Sequence, residues 1–311
     1  MLSDFLSSWT DRVFHLVDVA LRRKLRLGQI KWLRSILLKP YRKLINCHGR
    51  GVLMNIWGCV PARMPAEYAW RAVEDYEPET ISSLKKWMAA AEQPLLVDVG
   101  CSVGFVCCAG LFSNLKARVV AIDSDLQSLK AAQQLCSYAP DVGERLSLIW
   151  GFVSNEPTVK CDFRQGNEIT IEALKKPGIT GNPESVHYVC LDLATPDEES
   201  FPRHSLDNLI PAESPPGQTI LIKCDVEGAE LLVLRGAERL LAERHPTLLV
   251  SVHPSALPRY GTTKEEVRSF LLARNYEVSV IAVDHEEHWW CEFKTPQTGN
   301  ATAPGSGRQK C

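Results

Sequence analysis

Asp98, Gly100, Gly104 and Asp123 have the types and spacing to build one binding edge. Leu95-Leu96-Val97-Asp98-Val99 is a short apolar run holding one acid, and Gly100-Cys101-Ser102-Val103-Gly104 follows at once. Gly100 permits a tight turn with close backbone approach, and Gly104 clears space where the amino terminus of the next helix faces a ligand. An acid buried alone in an apolar run is costly, so Asp98 is expected to meet the turn's amides or a cationic ligand group. Asp123 lies twenty-three residues after Gly100 and closes the next apolar run, where an acid accepts hydrogen bonds from both hydroxyls of a ribose.

Charge separates two nucleoside ligands. The turn lacks the G-x-G-x-x-G order that seats a pyrophosphate, and an acid before it repels a diphosphate. The cationic methionine part of S-adenosylmethionine suits the same acids. The candidate cofactor-binding residues are Asp98, Gly100, Gly104 and Asp123, with Ser102 of the turn and Asp225 beside them. Asp225 and Glu227 lie just past a later strand, and His253 ends the one after it, which makes these three the catalytic candidates. His253 or Asp225 is expected to take a proton, with no dedicated base as the third option. Two acids before a helix also stabilise its amino terminus without catalysis, and His253 also reads as a satisfied core histidine. A metal held by Asp225, Glu227 and His253 is imaginable, but its geometry is not written in a sequence, and no metal ligands are assigned. His285 and His288 with Asp284, Glu286 and Glu287 look metal-like yet fall in a hairpin turn, where polar residues are the default.

A rival chemistry fits the same turn. Gly100-x-Ser102-x-Gly104 satisfies G-x-S-x-G, with Asp225 and His253 in the chain order of an α/β-hydrolase triad. Such an elbow follows several strands and an H-G-G-G type loop, whereas this strand opens the sheet. A non-catalytic S-adenosylmethionine-binding protein is the other alternative, motivated by Ser102.

The elements that must position these residues alternate. Strands are predicted at 95–99, 118–122, 146–153, 219–223 and 247–252, with helices at about 105–115, 126–138 and 229–242. That alternation gives a parallel sheet with helices on both faces. Thr262 or Thr263 with Glu265 or Glu266 offers a capping box for a helix ending near Arg274. Residues 277–283 and 288–293, joined by a short polar turn, must then be an antiparallel hairpin. The fold class is α/β: a Rossmann-like, mostly parallel seven-stranded sheet with a C-terminal antiparallel hairpin and a helical N-terminal extension. Residues 1–90 form a basic, mostly helical region with a short extended piece after residue 50. Residues 91–295 form the main domain, with a long insertion at 155–218, and residues 296–311 a disordered tail.

The stretch Ile222-Lys-Cys-Asp-Val-Glu-Gly-Ala-Glu-Leu-Leu-Val-Leu-Arg-Gly-Ala237 resembles the hallmark of the FkbM family of S-adenosylmethionine-dependent methyltransferases, close to I-K-x-D-V-E-G-A-E-x-x-V-L-x-G-A. The resemblance covers roughly residues 95–285. It takes in Val97-Asp98-Val99-Gly100, Ala121-Ile122-Asp123, Ser205-Leu206-Asp207-Asn208-Leu209 and Val252-His253-Pro254. It departs at Cys101-Ser102, where the family has Ala-Asn, at Asp123 in place of Glu, and at Ser251, where Glu is frequent. The resemblance implies methyl transfer, usually to a hydroxyl oxygen of a small molecule or sugar, and the basic amino-terminal stretch adds a lipid/glycan acceptor as an option.

Composition agrees with this class. The 311 residues are 45% hydrophobic and 23% charged, the usage of a soluble globular protein. No apolar run approaches the roughly 18 residues of a membrane span. Eleven cysteines, none in C-x-x-C spacing, are expected to be reduced thiols in a cytoplasmic protein. The first fifty residues hold eleven Lys and Arg against three Asp, a net +8 that leaves −10 for the rest. Nucleic acid is accordingly not an expected partner. Residues 20–45 pair this basic charge with Leu25, Leu27, Ile30, Leu33 and Ile36, so peripheral membrane contact is an alternative to packing on the protein itself.

Overall fold

The structure, a computed structural model, describes residues 52–56, 60–64, 76–137, 139–156, 202–211, 215 and 217–295. The basic stretch at 20–45, most of the 155–218 insertion and the 296–311 tail lie outside the described residues. No helix among the described residues is long and apolar enough to cross a membrane. The extended piece expected after residue 50 is a hairpin, β1 (Val52–Ile56) against β2 (Val60–Met64).

Helix α1 (Pro78–Ala90) leads into β3 (Gln93–Val99), α2 (Phe105–Ser113), β4 (Arg118–Asp123), α3 (Leu126–Cys136), the single turn α4 (Val142–Arg145) and β5 (Leu146–Trp150). Successive strand residues face opposite sides, so each strand feeds two cores. Leu96, Val119, Ala121, Leu221 and Leu249 pack under α1, α2 and α3 with Leu84, Met88, Leu111, Leu129 and Leu135. Leu95, Val97, Val120, Ile122, Ile220 and Ile222 fill the other side. Burial on both sides explains why these strands read as apolar runs without alternation.

The predicted strand at 146–153 is two strands. Gly151, at φ +144°, breaks it where a Cβ would lie 2.5 Å from the Pro202 carbonyl. Beyond it, β6 (Phe152–Val153) leaves the main sheet and pairs in parallel with β7 (Arg203–His204). The predicted helix at 229–242 likewise divides, into α6 (Glu230–Arg235) and α7 (Glu238–Arg244). The cause is Asp207 in the turn α5 (Leu206–Leu209), whose carboxylate accepts from the Arg239 and Leu240 amides at 2.9 and 2.8 Å. Its own N–H donates to the Gly236 carbonyl, so one residue of the insertion's end starts a second helix.

The chain continues through β8 (Gln218–Cys224), before α6, and through β9 (Thr247–Val252), α8 (Lys264–Leu272), β10 (Tyr276–Val283) and β11 (Glu287–Phe293). The Thr263 and Glu266 capping box opens α8 as predicted. The seven-stranded sheet runs β10-β11-β9-β8-β3-β4-β5, with β11 alone reversed. This is the Rossmann-like architecture expected. The reversed strand is not at the edge, however: β11 inserts between β9 and β10. The turn joining β10 to β11 therefore returns to the carboxyl ends of the parallel strands, with His288 opposite Ser251 and Glu287 opposite Val252. Successive strands step one way from β3 to β4 and β5 and the other way at β8, which puts the topological switch point between β3 and β8.

Candidate active site

At the switch point Asp98 pairs in register with Lys223 and Val99 with Cys224. The Asp225 amide then donates to the Val99 carbonyl at 2.9 Å, bringing the two strand ends together. Gly100 sits in this contact at φ +78°, where a Cβ would lie 1.7 Å from the Asp225 carbonyl oxygen. Only glycine meets both demands. Gly104, at φ +86°, lets the start of α2 rest on Ala132 of α3, whose Cβ would be 2.6 Å from an added one.

Ser102 takes a left-handed conformation, φ +49°, and its amide donates to Asp123 Oδ2 at 2.8 Å. The Asp125 amide donates to the other oxygen, also at 2.8 Å, while Asp125 itself caps α3. Glycine turn and strand-end acid thus form one hydrogen-bonded unit. Burial pushes Asp123 up to about 7, against the pull of the Asp125 and Ser102 amides. Of the two partners expected for Asp98, the turn's amides are not used. Asp98 lies fully buried and accepts from the Cys107 thiol at 3.0 Å, and its Oδ1 has no hydrogen-bond partner. Burial raises its pKa, with Lys223 opposing. Cys107 and Cys108 are both buried thiols.

The far side of the crevice is a network of charged side chains. Lys223, 2% exposed, lies 2.6 Å from Asp225 Oδ2. Burial opposes the ammonium, but Asp225, Glu77 and Asp98 outweigh it and hold Lys223 above its usual range. Burial also works against the Asp225 carboxylate, yet Lys223 and His253 keep it below the usual range. Neither Asp225 nor Glu227 caps the following helix. Its first residue, Glu230, accepts from the Gly228 amide at 2.9 Å and from His253 Nδ1 at 2.7 Å. The other ring nitrogen, Nε2, is 2.7 Å from Glu286 Oε2 and 3.6 Å from both Asp225 Oδ1 and Glu227 Oε2. Burial disfavours the imidazolium, but Glu230, Glu286 and Asp225 together push His253 up to about 11. No hydrogen bond joins Ser102 to His253 among the described residues, so the hydrolase arrangement is not assembled.

Glu227 differs from its neighbours. Its backbone is left-handed at φ +53°, and its side chain is 42% exposed. Burial raises its pKa, with His253 opposing. A non-glycine residue held at positive φ beside a charge network is a common functional signature.

The sequence reading did not single out Lys223, Glu230 or Glu77, and it set Glu286 and His288 aside as turn residues. His288 is in fact buried, with Nδ1 3.0 Å from Ser251 Oγ. The turn residue Glu286 is 5% exposed and reaches His253 because β11 runs beside β9. One signal was present: an acid flanked by histidines in a turn beside an apolar strand. Buried side-chain atoms without hydrogen-bond partners concentrate here, on Glu77, Asp98, Glu230, Glu286 and His288. Such groups are rare in folded proteins and mark a place arranged for something other than stability.

Comparison with known proteins agrees with this picture over part of the chain. The family described as Methyltransferase FkbM domain matches residues 178–278. That match begins beyond the Gly100 turn and Asp123, and is shorter than the 95–285 resemblance. No curated protein matches. Among solved structures, the methyltransferase FkbM from Methylobacillus flagellatus KT is 17% identical, with a TM-score of 0.43, over 73% of this chain and 52% of that one. The match thus spans about half the length of that protein. The O-methyltransferase TomG from Streptomyces achromogenes, in complex with SAM, is 12% identical with a TM-score of 0.41, over 74% of this chain and 86% of that one. TrmK from M. capricolum, in complex with S-adenosyl-homocysteine, is 12% identical with a TM-score of 0.36, over 68% and 66%. Over residues 178–278, which hold β8, the Asp225 to Glu227 turn and His253, the chain matches the family model described as Methyltransferase FkbM domain.

Proposed function

We propose that the chain is an S-adenosylmethionine-dependent methyltransferase acting on a hydroxyl oxygen of a small molecule, sugar or lipid/glycan. The observation that carries this reading is the joining of the glycine turn to the Asp123 carboxylate at the switch point. The donor set fits the nucleoside. Asp123 offers acceptors for ribose hydroxyls, the Gly100 to Gly104 turn has no side chain at either end, and Asp98, Asp225 and Glu227 favour a cation over a diphosphate. S-adenosylmethionine supplies a methyl group on an already activated sulfonium, so the protein has to position the acceptor oxygen and remove its proton.

Positioning is worth roughly 7 to 11 kcal/mol in well-oriented systems, and a general base adds about 10²- to 10⁴-fold. Of the three catalytic candidates, Glu227 supports the base role best. It is the most exposed, and its raised pKa moves it toward the range where a base works at neutral pH. Asp225 is tied to Lys223, and both nitrogens of His253 face carboxylates, so these two are assigned to holding the site's shape and charge. As the O–CH3 bond forms and the S–CH3 bond breaks, the hydroxyl proton passes to Glu227 and S-adenosylhomocysteine leaves.

Titration calorimetry with S-adenosylmethionine tests the reading, with Asp123→Ala as the probe. Binding by the wild-type chain and a loss of about 100-fold in the variant are expected, since each hydrogen bond to a charged group is worth about 1.5–3 kcal/mol. Equal binding by both proteins would refute the ribose assignment.

A further inference from the structure

Around His253 the side chains are arranged for a second ligand. One ring nitrogen is committed, with Nδ1 2.7 Å from Glu230 Oε1, and Glu230 is itself fixed by the Gly228 amide and wholly buried. This leaves Nε2 facing three carboxylate oxygens, from Glu286, Asp225 and Glu227. A single N–H cannot serve three acceptors. Glu286 Oε2 is paired by charge with Nε2 at 2.7 Å, and with its side chain only 4% exposed it has no other hydrogen-bond partner. Four carboxylates here, those of Asp225, Glu227, Glu230 and Glu286, face His253 and a Lys223 already joined to Asp225. Excess buried anionic charge is costly, and a cation is the group that offsets it.

We propose that Asp225, His253 and Glu286 hold one divalent metal cation of the Mn2+ class, which takes the place of the proton on His253 Nε2 and releases that proton to solvent. One ligand atom from each residue lies within 4.8 Å of the others. Ligands about 2.0–2.2 Å from a common ion lie within roughly 4.4 Å of one another, so small side-chain shifts close the site. Metal-bound histidines commonly donate their other N–H to a carboxylate, the part Glu230 plays here. Oxygen donors with one imidazole favour Mn2+ over softer ions that prefer thiolates, and the buried thiols of Cys107 and Cys108 are not in this group. Three protein ligands leave coordination positions open beside Glu227. Resting on the methyltransferase reading, the cation would take the acceptor hydroxyl there and lower its pKa, easing proton transfer to Glu227.

Binding is tested on the full chain, stripped with chelator and without S-adenosylmethionine, by titrating Mn2+ and following free ion by electron paramagnetic resonance. One Mn2+ per chain is expected, with affinity lowered at least tenfold in Glu286→Gln and His253→Ala and unchanged in His285→Ala. The last variant guards against the neighbouring group of exposed Asp284 and His285 with buried Glu286, which shares that one residue with the site. Pulsed resonance on the wild-type chain should also show one coordinated imidazole nitrogen, which settles the matter even if a buried variant fails to fold. No bound Mn2+, no coordinated nitrogen, or loss of binding in His285→Ala overturns the proposal. Nucleoside binding is measured separately on the metal-free chain. If Mn2+ binds but the nucleoside does not, the function proposed above fails and the metal site stands; if the nucleoside binds but Mn2+ does not, only the metal site fails.

Discussion

The two sides of the crevice are built by different means. On the β3 and β4 side the geometry is made by backbone: a glycine turn, positive φ angles, and amides from Ser102 and Asp125 on one carboxylate. On the β8, β9 and β11 side it is made by long charged side chains that hold one another, Lys223 to Asp225 and His253 between Glu230 and Glu286. A backbone site tolerates no change in shape but survives changes of side-chain chemistry. A side-chain network behaves in the opposite way, since isosteric substitutions leave it folded and alter what it does.

The largest effect that follows is at Gly100. Gly100→Ala places a methyl 1.7 Å from the Asp225 carbonyl and forces a side chain to φ +78°. The strand ends must separate, so a loss of about 4 kcal/mol or failure to fold is expected in urea denaturation. Gly261 is the control, because it has φ +64° with nothing within 4 Å of an added Cβ. Gly261→Ala should cost only the conformational strain, about 1–2 kcal/mol. Equal costs at the two positions would mean that the close approach at Gly100 is not what requires glycine.

The next effect divides binding from turnover. Asp123→Ala should weaken nucleoside binding about 100-fold, whereas Glu227→Gln should bind it within about twofold of wild type and lose about 10²-fold in kcat toward an alcohol acceptor. Steady-state kinetics with a radiolabelled methyl donor measures the second. A Glu227→Gln enzyme with full kcat would remove that residue as the base and return the choice to Asp225, His253 or no base at all.

How much of each side the sequence revealed follows from the same contrast. The turn at Gly100 and the acid at Asp123 are encoded within about twenty-five residues, and the predicted strand and turn were found where expected. The triad of Asp225, Glu227 and His253 was also legible, since residues that end neighbouring parallel strands must gather. Glu286 was not. Its approach to His253 depends on β11 inserting between β9 and β10, and strand order is a long-range property that local periodicity does not carry. The break at Gly151 and the division at Gly236 were missed for the same reason, as each is imposed by a partner from the distant end of the insertion, Pro202 or Asp207. Asp98, an acid in an apolar run, needs a partner, and the sequence offers the turn's amides or a cationic ligand group. In the fold its Oδ2 accepts from a thiol nine residues on, in the first turn of α2, a contact that local pattern does not carry.

Acidity gives a finer separation. Burial raises Asp123 to about 7, so the folded chain holds that proton more tightly than the unfolded chain does. For the protein alone, stability therefore falls as pH rises from the ordinary carboxylate range to about 7. Nucleoside affinity should move the other way, because an ionised carboxylate accepts ribose hydrogen bonds best. Calorimetry should show affinity declining as pH drops through about 7, by up to tenfold per unit, and Asp123→Asn should flatten the profile. An unchanged profile in that variant would place the titrating group on the other side of the crevice.

The smallest effect lies where the two β-strands carrying the charge network meet. Ser251 and His288 face each other in the register of β9 and β11, and their side chains join at 3.0 Å with both residues buried. Removing the hydroxyl leaves His288 Nδ1 short of a partner in a place where Nε2 already has none. Ser251→Ala should cost about 1–2 kcal/mol, read as a shift in the urea midpoint at constant slope. The same variant should leave nucleoside affinity unchanged, since among the described residues the hydrogen bonds that hold Asp123 and the glycine turn do not come from β9. Were affinity to fall along with stability, the two sides of the crevice would be coupled through β8, and the division between a backbone-made half and a side-chain-made half would no longer hold.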